Sequence, residues 1–199
     1  MKLSSPILAV SILAVPFSAI SATETFRAEV TVQNAVVLTR DGNLNFGKVR
    51  AVADPLGVDI AELTVNATPD ASPIAESSNS TDAAKFAIIE DGEAASFTVS
   101  EAVPSAVLKI IDPVKTNLEF ENGQDTDRPD FTIGDWSYVI TSGDNNNVTY
   151  TPGTPNLQVG QDGTVSFNVG ATLKTSSKVT SKPYADGVYA GTFQIEVAY

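Results

Sequence analysis

The sequence predicts an all-β fold, an antiparallel β-sandwich, and three observations lead there. Apolar residues recur at every second position in short runs. Clusters rich in Gly, Pro, Asn and Asp separate those runs. Beyond residue 22, no stretch keeps an i, i+3, i+4, i+7 apolar rhythm for three turns. Many short strands with one apolar side each bury that side most simply by packing two antiparallel sheets face to face.

The chain opens on MKLSSPILAVSILAVPFSAISA, with Lys2 near the start, an apolar middle up to about Val15, and small residues towards Ala22. This is the anatomy of a secretory signal peptide, with cleavage expected after Ala22. The apolar stretch is short and interrupted by Pro16, so it falls below the ~20 residues of a membrane span. No cysteine stands at the junction, which argues against a lipid anchor. The expected product is exported through the periplasm to the cell surface or medium, with no membrane span left after processing.

Next comes FRAEVTVQ, which puts Phe26, Ala28, Val30 and Val32 on one face and Arg27, Glu29, Thr31 and Gln33 on the other. Asn34 and the adjacent Val36 and Val37 interrupt the alternation, although Val36 and Leu38 resume its even phase. Residues 23–33 therefore read either as a strand offered to another chain or as the first strand of the protein's own sheet. Residues 34–199 read as one β-sandwich domain.

Within that domain, LGVDIAELTVNA suggests one or two helical turns around Ile60 and Leu63. Segments 67–83 and 141–156, rich in Ser, Asn, Pro and Gly, read as long exposed loops. The runs SFTVS, AVLKII, NLEFE, DFTIG and WSYVI read as separate strands. GTVSFNVGATLKT keeps Val165, Phe167, Val169, Ala171 and Leu173 in phase. The closing YAGTFQIEVAY holds Tyr189, Phe193, Ile195, Val197 and Tyr199 in one phase, an unbroken strand pattern.

Composition narrows the function. The net charge is −12, and removal of Lys2 with the leader makes it one unit more negative. That surface disfavours nucleic acid and anionic lipid as partners. With no histidine and no cysteine, the chain lacks the Ser-His-Asp and Cys-His nucleophile systems and thiolate chemistry. A two-carboxylate hydrolase is what remains. The 24 acidic residues make close pairs unavoidable by chance, so no enzyme activity, cofactor or resident metal is expected. Asp125, Asp127 and Asp130, and Asp144 beside three asparagines, do not follow the Asp-x-Asp-x-Asp-Gly calcium loop and read as solvated turns. Lys174, Lys178 and Lys182 read as a solvated basic loop. Trp136 and Tyr138 read as core packing rather than a sugar-stacking platform.

Two resemblances bear on function. Gly187, the alternating Tyr189, Phe193, Ile195 and Val197, and Tyr199 twelve residues after the glycine resemble the last strand of chaperone–usher pilins, whose tyrosine usually stands one place before the end. The order LNFGKV, ASFTVS, VSFNVGATLKT and GVYAGTFQIEVAY also resembles a family of exported bacterial pilin-like β-sandwich proteins of poorly known function, over nearly the whole processed chain. The resemblance implies an immunoglobulin-like, pilin-like sandwich serving as a structural subunit of a surface filament or layer. Copies of the chain would join by strand donation, with a periplasmic chaperone as a transit partner. Phe26, Ala28, Val30 and Val32 would be the donor, and Gly187, Tyr189, Phe193, Ile195, Val197 and Tyr199 the acceptor or chaperone-contacting strand. Two other readings stay open: a monomeric secreted binding module such as a glycan adhesin, and a small outer-membrane barrel, which also ends on a strand with a terminal aromatic.

Overall fold

The computed structural model describes residues 23–32, 35–77, 83–114, 116–123 and 125–199, with Thr116 described by its backbone alone. The expected signal peptide, Gln33 and Asn34 lie outside the described residues. The chain divides into two compact units, Met1–Gln33 and Asn34–Tyr199. In the first, the described residues 23–32 carry no strand assignment, and Arg27 pairs with Glu29 at 3.0 Å.

The second unit is all-β and antiparallel, with no helix among the described residues. Its strands are β1 (Val37–Gly42), β2 (Lys48–Val52), β3 (Ala61–Val65), β4 (Ile74–Ser77), β5 (Lys85–Glu90), β6 (Ala95–Ser100) and β7 (Val107–Ile111). They continue as β8 (Thr116–Phe120), β9 (Phe131–Ile140), β10 (Thr149–Tyr150), β11 (Leu157–Gln158), β12 (Val165–Lys174), β13 (Tyr189–Ala190) and β14 (Glu196–Ala198).

One layer is a nine-stranded sheet ordered β1-β6-β12-β9-β8-β13, with β3 and β4 carried on β12 and β10 on β9. β12 is its spine because every odd residue from Val165 to Leu173 is apolar and buried. Its first half pairs with β6 and its second half with β3, while β9 runs along the other side with a register shift between Gly170 and Thr172. Phe167 faces Phe97 across the ladder, and their rings stack at 5.6 Å.

The second layer consists of two smaller sheets, β11-β7-β14 and β2-β5. Leu108, Ile110, Leu157 and Val197 of the first pack on Val99, Phe167, Tyr138 and Ile140. Val49, Ala51, Phe86 and Ile88 of the second pack on Leu63, Leu118, Phe131 and Leu173. The expected sandwich is therefore present, with two small sheets laid over opposite halves of one large one.

Several local expectations are corrected. Residues 61–65 form β3 rather than helical turns, because Ala61, Leu63 and Val65 alternate inward and β12 supplies the ladder. Segment 67–83 contains β4, and 141–156 contains β10, whose Tyr150 is buried and accepts the Ile110 N–H at 3.0 Å. DFTIG and WSYVI fuse into one ten-residue β9. The closing strand is broken: β13 pairs with β8 in the large sheet and β14 with β7 in a small one, so residues 191–195 cross between layers.

Candidate strand-acceptor groove

Both small sheets of the second layer stop at an edge. β2 pairs only with β5, and β14 only with β7, among the described residues. β2 runs towards the end of the domain where β12 finishes, because Val52 opposes Lys85 and the neighbouring Ala84 N–H donates to Asp59 near the start of β3. β14 runs the opposite way, since Ala198 opposes Lys109 close to where β7 begins. The two edges are thus antiparallel to each other, with backbone groups on their outer sides left for another strand.

Between β2 and the chain leading into β14 lies a cleft of about 1000 Å³. Its walls are residues 44–52 on one side and 184–191 with Phe193 on the other. Leu118, Phe131, Ile133 and Leu173 of the large sheet form its floor. These floor residues point inward by strand alternation and are buried under β2, β5, Tyr184 and Tyr189, so the base of the cleft is apolar.

An aromatic group stiffens the wall opposite β2. Tyr184 stacks on Phe131 with ring centroids 4.2 Å apart, and Tyr189 meets Phe131 edge-on at 4.9 Å. The Tyr189 hydroxyl accepts the Ala185 N–H at 2.8 Å, and the Tyr184 hydroxyl accepts the Ser176 N–H at 3.0 Å. Burial raises both phenol pKa values, so both stay neutral hydrogen-bonding groups at physiological pH. Phe193 packs on Trp136 at 4.7 Å, and Ile195 leans half-buried on the core. Tyr199 accepts the Val103 N–H at 3.1 Å with its hydroxyl, which ties down the last residue.

The sequence-predicted residues are thus dispersed. Gly187, Tyr189 and Phe193 line the cleft, Ile195 and Val197 face the core, and Tyr199 sits at the opposite end of the domain. Gly187 has a structural reason to be glycine: its φ is 143°, and a Cβ there would stand 2.6 Å from the Phe120 ring. The donor candidates lie in the first unit, where Phe26, Val30 and Val32 are 92%, 83% and 73% exposed and Ala28 is exposed. The facing wall of the cleft, with Val49 and Ala51 on β2, was not singled out by sequence reasoning. The LNFGKV motif, which ends on Val49, lies in this wall with its Leu44, Phe46 and Gly47, but only the period-two spacing of Val49 and Ala51 points to a strand there.

The charged segments close on themselves. Lys182 bonds Asp125 at 2.9 Å, and its ammonium holds that carboxyl below the usual range. Lys178 donates to the Thr126 carbonyl, and Lys174 bridges Asp135 at 2.6 Å and Glu62 at 2.8 Å. Lys174 is therefore not part of a loop but lies on β12 between β3 and β9, while the exposed Lys178 and Lys182 reach the turn at 125–127. Among the described residues, no three Asp, Glu, His or Cys side chains group to hold a metal ion. Tyr138 is buried and donates to Asp112 at 2.8 Å, in keeping with a core role.

A family model described as DUF4402, a domain of unknown function, matches residues 36–199. The chain belongs to the DUF4402 family. The DUF4402 match begins one residue before β1 and takes in both walls and the floor of the cleft, while residues 23–33 precede it. No curated protein and no solved structure matches the chain.

Proposed function

We propose that this DUF4402 protein is a structural subunit of an extracellular filament or layer, exported by its N-terminal leader and assembled by strand donation. Residues 23–32 of one copy enter the cleft between β2 and the chain leading into β14 of the next. The observation that carries this reading is an apolar-lined cleft beside the unpartnered edge of β2, with a second unpartnered edge at β14. The dimensions agree: ten extended residues span about 33 Å, the reach of the ten-residue β12 along the domain.

The energetics favour such a joint. Phe26, Val30 and Val32 are exposed, and burying each contributes roughly 1.5–3 kcal/mol. The backbone of the incoming strand completes ladders along β2 and β14, which converts two edges into one continuous sheet. The acidic net charge keeps free copies apart until insertion. A periplasmic chaperone is the natural occupant of the same cleft before assembly.

A second reading rests on the Tyr184–Phe131 stack inside a cleft of ligand-pocket size, which suits a monomeric module binding a small apolar or sugar ligand. Deleting residues 23–33 separates the two. A filament subunit loses its SDS-resistant multimers in unboiled electrophoresis and regains a filled cleft with a synthetic peptide of residues 23–32. A binding module stays monomeric with or without the segment and takes up no peptide.

A further inference from the structure

At the end of the domain where β2 finishes, three large apolar side chains stand in solvent: Leu56, Val58 and Val179, exposed by 73%, 71% and 70%. They share one loop pair. Gly57, at φ 68°, lies so close to the Ser177 carbonyl that a Cβ would stand 2.3 Å from its oxygen.

The loop is built to present them. The buried Asp54 carboxylate accepts the N–H groups of Leu56, Val58 and Asp59 at 3.0, 3.0 and 2.9 Å, which fixes the backbone on both sides of Gly57. The second loop is pinned where Lys178 donates to the Thr126 carbonyl at 3.1 Å and its own N–H bonds Ser176 Oγ. The same bonds set the buried Asp59, which accepts the Ser77 hydroxyl and the Ala84 N–H, while Leu56 and Val58 are held outward.

We infer that this tip is the seat for the next copy of the chain, a rigid contact made in addition to the donated strand. The inference rests on the strand-donation reading. Two facts select the occupant. The tip continues the cleft wall directly, since Val52 lines the cleft and Leu56 follows four residues later. The donor segment is tied to its own domain on a short lead: from Val32 to Val37, the first residue of β1, the chain reaches at most ~17 Å.

Of the two directions open to a donor beside these antiparallel edges, the one antiparallel to β14 leaves the cleft beside Val52 and sets the donor's own domain against this tip. The face it brings is the end where β1 begins, because Val37 pairs with Ser100 there and the following loop carries Val103. Val37 and Val103 are both exposed. The contact joins opposite ends of two copies, a heterologous arrangement that propagates as an open filament.

The test uses the full chain. Replacing Leu56, Val58 and Val179 together by Ser leaves the monomer's melting temperature unchanged and raises the midpoint concentration of assembly at least tenfold by sedimentation. Assembly at the wild-type midpoint overturns the inference. The chain has no cysteine, so Leu56→Cys combined with Val103→Cys gives a clean second readout. These sites lie at opposite ends of a domain about 30 Å long, too far for a disulfide within one chain.

Oxidised multimers of the double variant give a covalent ladder that survives boiling and collapses with reductant. Covalent dimers from Val103→Cys alone indicate end-to-like-end contact and overturn the inference. A non-covalent ladder that persists without the disulfide ladder overturns this contact while sparing strand donation. Wild-type protein that forms no multimer at all removes both.

Discussion

Phe131 and Tyr184 lie with their rings 3° from parallel and 4.2 Å apart, one on the floor of the cleft and the other on its wall. Phe131 is buried at the start of β9, whereas Tyr184 comes from the loop that precedes β13. The pair fixes the wall opposite β2. Phe131→Ala is expected to cost about 3–5 kcal/mol in urea unfolding, as for other large-to-small core changes. Tyr184→Phe keeps the stack and orphans the Ser176 N–H, with an expected loss of about 1 kcal/mol.

Gly187→Ala probes the same wall through the backbone. The substitution meets a φ of 143° and a contact 2.6 Å from the Phe120 ring. The expected loss exceeds about 1 kcal/mol, the usual gain of a compatible Gly-to-Ala change being reversed. Urea midpoints of the two proteins check it.

Acid sensitivity follows from Asp54. Its carboxylate accepts three backbone N–H groups, first from Asp59, which lowers its pKa below the ordinary 3.8. A carboxyl whose folded pKa is depressed stabilises the fold above its unfolded value and loses that contribution as pH falls through the folded one. Asp125 and Asp162 are depressed in the same direction by Lys182 and Thr164. Urea midpoints are expected to hold steady above about pH 5 and fall below about pH 4. Asp54→Asn flattens that fall and lowers stability at neutral pH, because its amide NH2 cannot accept an N–H.

Lys174 sits between Glu62 and Asp135, on β12 between β3 and β9. Lys174→Met is expected to cost under about 1 kcal/mol, since Asp135 is well exposed and solvent screens the pair. The loss shrinks at high salt, measured as urea midpoints with and without added sodium chloride.

Much of the fold is legible because its spine is legible. From Val165 to Leu173, β12 keeps strict alternation in a position buried on the layer face, so pattern and burial agree. Residues 60–65 mislead because Ile60 and Leu63 stand three apart, and only the ladder to β12 reveals that Ala61, Leu63 and Val65 are the inward set. The closing segment reads as one strand because side-chain alternation continues through 191–195 while the backbone changes partner from β8 to β7. Partner choice is a long-range property that alternation does not encode. The groove is half legible for the same reason: Tyr189 and Phe193 stand out, but the facing wall depends on which edge β2 leaves open.

The most direct measurement mixes a chain of residues 34–199 with a labelled peptide of residues 23–32 and follows binding together with hydrogen exchange. Strand donation predicts a slowly dissociating one-to-one complex, with new amide protection along Lys48–Val52 and Glu196–Ala198 and none when Phe26 and Val30 of the peptide are replaced by Ser. A truncated chain that ignores the peptide, beside a full-length chain that remains a lone monomer at high concentration, contradicts it.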